Sequence, residues 1–304
     1  ANELTEALID GSDWPGLVPS CGTLSYETTP GTTPSSIAVK GTKAIIGGAE
    51  YSITNEANTL FSVGNGAKLY LDDITISGNE TAEDSLIKVE DGGTLVMRDD
   101  SKITGHKVYG GDGGGGGVYV ANGGTFTMDG GTIEGCFAYR GAGVYVALGG
   151  EVYLNGGTIT NNESSDYGAG LYADSGASIA LGGDKSIGEI VSGNGAEYLE
   201  TPLDWQQAFI DAVINYEFDE GSSSTFGDLE EAVDKANTVP VRFAAAYSTF
   251  SPSITMTRGF ELTGNLWLDG NITLYRDEKH KKAFFELTDS ASLVLGFVTL
   301  SGKS

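Results

Sequence analysis

The chain has 304 residues, 46 of them glycine, with a formal net charge of −25 at pH 7 and a sequence pI near 4.2. This charge would repel nucleic-acid phosphates and anionic lipid head groups, so neither is an expected partner. No apolar run approaches the ~20 residues that a membrane helix needs, so no membrane insertion is expected within this chain.

The first predicted elements are short alternating strands separated by glycine-containing turns. Five apolar residues occupy equivalent positions of successive repeats and are expected to form one column of inward-facing side chains. They are spaced by 26, 31, 26 and 27 residues: Phe61, Ile87, Val118, Val144 and Leu171. The long step contains the glycine-rich insertion at residues 110–116, which is expected to leave the strands in register. A fixed period of this size predicts a stacked β-solenoid.

Alternation within each strand assigns its two faces, because successive side chains point to opposite sides of a strand. Each period contains three short apolar runs, such as those centred on residues 62, 70 and 76, which predicts three strands per coil. The expected fold is therefore an all-β, right-handed, three-sided parallel β-helix with short capping helices, with the helix running from about residue 30 to 200.

Beyond this region, helices are predicted at Asp204–Tyr216 and Asp228–Asn237. Gly221–Ser224 is predicted to be a linker or surface loop. A second, longer repeat relates residues 61–78 to residues 285–302, offset by 224 residues. We therefore expect a first β-helix unit with an N-terminal cap at 1–200, a helical connection at 201–227, and the truncated start of a second unit at 228–304.

The paired repeats Gly-Gly-Gly-Val-Tyr-Val at 115–120 and Gly-Ala-Gly-Val-Tyr-Val at 141–146 resemble the right-handed parallel β-helix repeats of bacterial adhesin-like surface proteins. They are also similar to repeats of polymorphic outer-membrane autotransporters and of pectate-lyase-like proteins. The resemblance covers mainly residues 60–190. It implies a bacterial, extracellular or cell-surface protein with an adhesive role.

These features favour a non-catalytic secreted or cell-surface protein, a fragment of a larger tandem-repeat protein. It would bind a host or environmental glycan or protein surface, or act as a spacer. The alternative is a polysaccharide lyase or glycoside hydrolase of the pectate-lyase-like β-helix type, because such enzymes share the predicted fold.

Outward tyrosines provide the candidate ligand-binding residues. Tyr119, Tyr145 and Tyr172 recur at equivalent positions of consecutive coils, so their rings should lie about 5 Å apart. Such a row can bind a sugar or protein ligand, or it can serve only as a stabilising cross-strand ladder.

Four carboxylates provide the candidate metal site. Asp72 and Asp73 recur one coil later as Asp99 and Asp100, and oxygen ligands of this kind suit Ca²⁺. The alternative is that they are ordinary turn residues, with a neighbouring arginine that relieves the repulsion between their like charges. No other cofactor is expected.

The remaining reactive side chains carry no recurring motif. His106 and His280 stand alone and are predicted to be solvated loop residues. Cys21 and Cys136 lie too far apart in sequence to suggest a disulfide framework. Cys136 is predicted to be a lone buried thiol.

Overall fold

A computed structural model describes residues 23–26, 36–47, 52–55, 58–110, 114–196, 204–218, 225–245, 252–279, 282–288 and 290–301. The chain divides into two compact units, Ala1–Pro202 with Ile210–Ala212, and Leu203–Phe209 with Val213–Ser304. Cys21, Gly221–Ser224 and His280 lie outside the described residues. No helix in the described part of the chain is long and apolar enough to cross a membrane.

The first unit is a parallel β-helix whose strands stack into three sheets, named here the first, second and third faces. The first face comprises β2 (Ile37–Val39), β5 (Phe61–Val63), β8 (Ile87–Val89), β11 (Val118–Val120), β15 (Val144–Val146) and β19 (Leu171–Asp174). The second face comprises β3 (Thr42–Ile46), β6 (Lys68–Asp72), β9 (Thr94–Met97), β12 (Thr125–Met128), β16 (Glu151–Leu154) and β20 (Ser178–Leu181). The third face comprises β1 (Thr23–Tyr26), β4 (Ser52–Asn55), β7 (Thr75–Ser77), β10 (Lys102–Thr104), β13 (Thr132–Glu134) and β17 (Thr158–Thr160).

Adjacent strands in all three sheets run parallel, which confirms the predicted all-β, three-sided β-helix. The predicted inward column is also confirmed, since its five members pair in order from Phe61 to Leu171. Val118 pairs with Ile87 across the glycine-rich insertion, so the longer step leaves the register unchanged.

Alternating burial places the core inside the coils. In the first-face strands β5, β8, β11 and β15, the outer two residues are buried and the middle one is half-exposed. In the third-face strands β7, β10 and β13, only the central residue is buried. Glycine is required where the chain enters the first face. A Cβ on Gly143 would lie 2.5 Å from the carbonyl oxygen of Gly170 in the next coil. Stacked carbonyls therefore leave no room for a side chain there.

A short fourth face lies between the third and first faces of three coils. It comprises β14 (Phe137–Ala138), β18 (Glu163–Ser164) and β21 (Gly195–Ala196), all parallel. A bridge between Lys107 and Phe137 extends it one coil towards the N-terminus. A single-turn helix, α1 (Ile187–Ile190), precedes β21.

The described strands of the second unit form three parallel ladders. The largest comprises β22 (Ala212–Phe218), β23 (Val241–Ala245), β26 (Asn265–Asp269) and β29 (Ser292–Leu295). The others comprise β24 (Ser253–Met256), β27 (Thr273–Arg276) and β30 (Thr299–Ser301), and β25 (Phe260–Leu262) with β28 (Phe285–Leu287). The strands β28, β29 and β30 follow one another along the chain, as β5, β6 and β7 do. That residues 228–304 begin a second β-helix unit stays a prediction.

The two predicted helices have different outcomes. The second is confirmed as α3 (Phe226–Ala236), which begins at a capping box formed by Thr225 and Asp228. The first is correct only as α2 (Asp204–Asp211), because the predicted end at Tyr216 is wrong: β22 begins at Ala212. The buried residues Val213, Ile214 and Tyr216 of β22 are β-branched or aromatic, and pairing with β23 overrides the helical pattern.

Candidate functional site

The three predicted tyrosines form a continuous stack on the first face. Tyr119 and Tyr145 have ring centroids 5.4 Å apart, and Tyr145 and Tyr172 have centroids 5.3 Å apart. The rings are nearly parallel because β11, β15 and β19 pair these residues directly. The predicted spacing of about one coil rise is confirmed.

Polar partners hold this stack in place. The Tyr145 hydroxyl donates to Asp174 at 2.9 Å, and the Arg140 guanidinium donates to the Tyr172 hydroxyl at 3.2 Å while lying over its ring. Tyr172 is only 3% exposed. Burial raises the pKa of Tyr119 and Tyr145, and the nearby Asp174 carboxylate raises both further.

Main chain from a neighbouring coil also covers the middle of the stack. A Cβ on Gly114 would lie 1.8 Å from Cδ2 of Tyr145, so the backbone packs directly on this ring. The tyrosines thus have the contacts of a structural ladder, with Tyr119 and Tyr145 half-buried. A ligand-binding role for the three residues stays a prediction.

The four aspartates lie on two successive coils: Asp72 ends β6, and Asp73, Asp99 and Asp100 lie in the bends and turns that follow β6 and β9. Asp73 and Asp100 have φ of 50° and 59°, a conformation that aspartate and asparagine adopt more readily than most residues. The Asp73 amide donates to the Asp99 carbonyl at 3.3 Å, and Arg98 lies 3.7 Å from the Asp72 carboxylate. In the described ranges, no group of three or more His, Cys, Asp or Glu residues is placed to hold a metal. The calcium site stays a prediction.

A column of polar side chains lines the corner that follows the third face. It was not found from the sequence, and we name it the corner column. Its members in successive coils are Asn79, His106, Cys136, Asn162 and Asn194. The first four lie two residues beyond the end of a third-face strand, and Asn194 lies three residues beyond Val191, which forms a bridge with Ile159 of β17. The sequence signal that was missed is asparagine at this position in three of the five coils.

His106 corrects the prediction of a solvated loop residue, because it is completely buried in this column. Its Nδ1 accepts the Asn79 amide at 3.0 Å, and its Nε2 lies 2.7 Å from the Asp84 carbonyl. The backbone N–H of Asn79 can only donate, so Nδ1 is the unprotonated nitrogen of the ring. The ring proton therefore resides on Nε2, which donates it to the Asp84 backbone carbonyl. Burial lowers the pKa of His106, although the hydrogen bond to the Asp84 carbonyl and the Asp84 charge act to raise it.

The following coils continue the same pattern with asparagine. The Asn162 side-chain oxygen accepts the Cys136 amide at 3.1 Å, and the Asn194 side-chain oxygen accepts the Asn162 amide at 3.0 Å. Asn194 in turn donates both its backbone amide and its side-chain nitrogen to Asp211. Cys136 is 1% exposed, as predicted, and burial raises the pKa of its thiol to about 12.

The fourth face carries a concave surface that the sequence did not reveal, named here the aromatic groove. It encloses about 270 Å³ and is lined by Lys107, Tyr109, Phe137, Asn161 and Glu163, together with Gly135 and Cys136. Tyr109 is 66% exposed, and its ring stacks on Phe137 with a centroid distance of 4.9 Å. An exposed aromatic surface beside charged groups is typical of a binding site.

Comparisons of the chain with protein-family models, curated proteins and solved structures gave no match.

Proposed function

We propose that this chain is a non-catalytic, adhesin-like β-helix protein of the bacterial cell surface or secreted fraction, and that it binds a glycan. One observation carries the proposal: the outer side of the fourth face presents aromatic rings to solvent on a rigid solenoid. Tyr109 is 66% exposed and Tyr139 is 50% exposed. Exposed aromatic rings cost free energy in water unless a ligand covers them, so such patches commonly serve binding.

The parallel ladders support this role mechanically. Each coil pairs with the coils on either side, so groups on different coils are held at fixed spacings of about 4.8 Å. Little conformational entropy remains to be lost when a ligand meets such a preorganised surface. The net charge of −25 disfavours nucleic acid and other polyanionic partners, whereas it does not oppose binding of uncharged ones.

Binding of the purified 304-residue chain to a glycan array tests the proposal. The same glycans are incubated with the chain, with and without Ca²⁺, and assayed for new reducing ends and unsaturated products. Saturable capture without product release is the expected result. Product release would favour the lyase or hydrolase alternative. Capture by immobilised proteins alone would assign a protein ligand, and failure to bind any glycan, protein or intact cell would overturn the adhesin-like role.

The location has its own test. Antibodies raised against the chain should label intact cells of the producing bacterium or detect the protein in its culture medium. Labelling that requires permeabilised cells would contradict the proposed location.

A further inference from the structure

We propose that the aromatic groove binds one or two uncharged pyranose rings of a glycan, with Tyr109 as the stacking platform. This inference rests on the proposed function and assigns its site and ligand class. The tyrosine ladder of the first face is a poorer candidate, because its rings stack on one another and Tyr172 is buried.

The aromatic pair supplies the apolar part of the site. Tyr109 and Phe137 lie on adjacent coils with rings inclined by 27°, and Tyr109 remains largely open to solvent. Backbone hydrogen bonds hold both residues: the Tyr109 amide donates to Ala82, and the Phe137 amide donates to His106. The C–H face of a pyranose is apolar, so covering Tyr109 with it removes apolar surface of both partners from water.

Polar groups around the rings match the hydroxyls of a sugar. Lys107, Phe137 and Glu163 occupy one outward column on three successive coils, through the Lys107–Phe137 bridge and the Phe137–Glu163 pair. Glu163 is exposed and accepts hydrogen bonds, Lys107 donates them, and the Asn161 amide does both. The groove therefore offers donors and acceptors on either side of an aromatic centre.

Charge and size select the ligand class. The Lys107 ammonium lies 3.8 Å from the Glu80 carboxylate, which balances its charge. Glu163 adds a further negative charge, so the groove has no surplus positive charge to bind a uronate or sulfate group. The net charge of −25 would repel such polyanions at longer range. A volume of about 270 Å³ lies just below the range typical of drug-sized ligands and fits a short neutral saccharide.

The test measures binding of neutral and uronate-containing oligosaccharides to the full chain by glycan array and calorimetry. Tyr109→Ala should lower the affinity for neutral glycans about tenfold or more, because the stacking surface is lost. Tyr109→Trp should retain binding, since it restores a flat ring. The control is Tyr153→Ala on the second face, where a tyrosine 39% exposed bonds only to its own strand's Glu151 in the described structure. This control should bind like the unaltered chain.

Three outcomes would overturn the proposal that the aromatic groove binds a neutral glycan. They are undiminished neutral-glycan binding by Tyr109→Ala, a preference for uronates, and an unaltered chain that binds no neutral glycan. If Tyr109→Ala still binds, the adhesin-like proposal survives with its site elsewhere. The cell and protein capture measurements decide that broader proposal independently of the groove. The melting temperature of Tyr109→Ala should fall only slightly, because the change removes one stacking contact, with Phe137, of a ring that is mostly exposed. A folded variant that no longer binds would show that the lost binding does not reflect unfolding.

Discussion

From the hydrogen bonds of the corner column, we predict that the buried side chain of Asn162 stabilises the first unit strongly. In Asn162→Ala, the Cys136 amide loses its acceptor, and the Ile133 carbonyl and the Asn194 side-chain oxygen each lose a donor. Asn162 is 1% exposed, so water does not readily replace these partners. The backbone amide of residue 162 keeps its bond to Asn194 in the variant.

The expected loss follows from these contacts. A buried donor left without an acceptor costs about 1–3 kcal/mol, and the missing amide adds packing loss, so we expect a total of about 2–4 kcal/mol. Urea unfolding followed by circular dichroism measures it. With a denaturant slope of about 2–3 kcal/mol per M, the midpoint should fall by roughly 1 M.

The adjacent residue provides a matched control. Asn161 is exposed and has φ of 53°, which glycine adopts without strain. Asn161→Gly should therefore change stability by only about 0.5 kcal/mol. Equal midpoint shifts for the two variants would refute the reasoning, because they would show that the buried hydrogen bonds of Asn162 contribute nothing beyond the surface turn.

Three further predictions concern titratable and metal-binding groups. Burial lowers the pKa of His106 in the folded chain. As pH falls below about 6.5, this histidine is therefore protonated in the unfolded chain before it is protonated in the folded one, and the free energy of unfolding decreases. The urea midpoint should therefore drop more between pH 7.5 and pH 5 in the unaltered chain than in His106→Asn; equal drops would contradict this. With the other thiol removed by Cys21→Ser, Cys136 should resist alkylation at pH 8 until the chain is unfolded, since its pKa is raised to about 12. If the aspartate group binds calcium, millimolar Ca²⁺ should raise the melting temperature, and Asp72→Asn with Asp99→Asn should abolish the rise. No rise would leave these residues as turn formers.

The repeat period and the alternation of apolar residues were sufficient to predict the fold. A 26-residue step places Val118 beside Val144, and period-two alternation sends both side chains inward. The same logic predicted the tyrosine spacing, because residues at equivalent positions of stacked strands lie one strand separation apart. These features depend only on spacing along the chain, which the sequence contains directly.

The environment of individual side chains depended on the tertiary structure. His106 resembles an isolated polar residue in the sequence, yet its partners Asn79 and Asp84 are brought to it by the stacking of coils and by the corner that closes each coil. Tyr172 occupies the same register position as Tyr119 but is buried, with Arg140 over its ring.

The aromatic groove arises in the same way. Tyr109 and Phe137 are 28 residues apart in the sequence, and neither belongs to the three predicted strands of a coil. They meet because a short fourth face forms at the corner, where turn geometry sets the direction of each side chain. The sequence by itself thus determined which residues lie in register and point inward. Only the tertiary structure decided which outward residues are covered, since that depends on contacts between coils at corners that no simple periodicity describes.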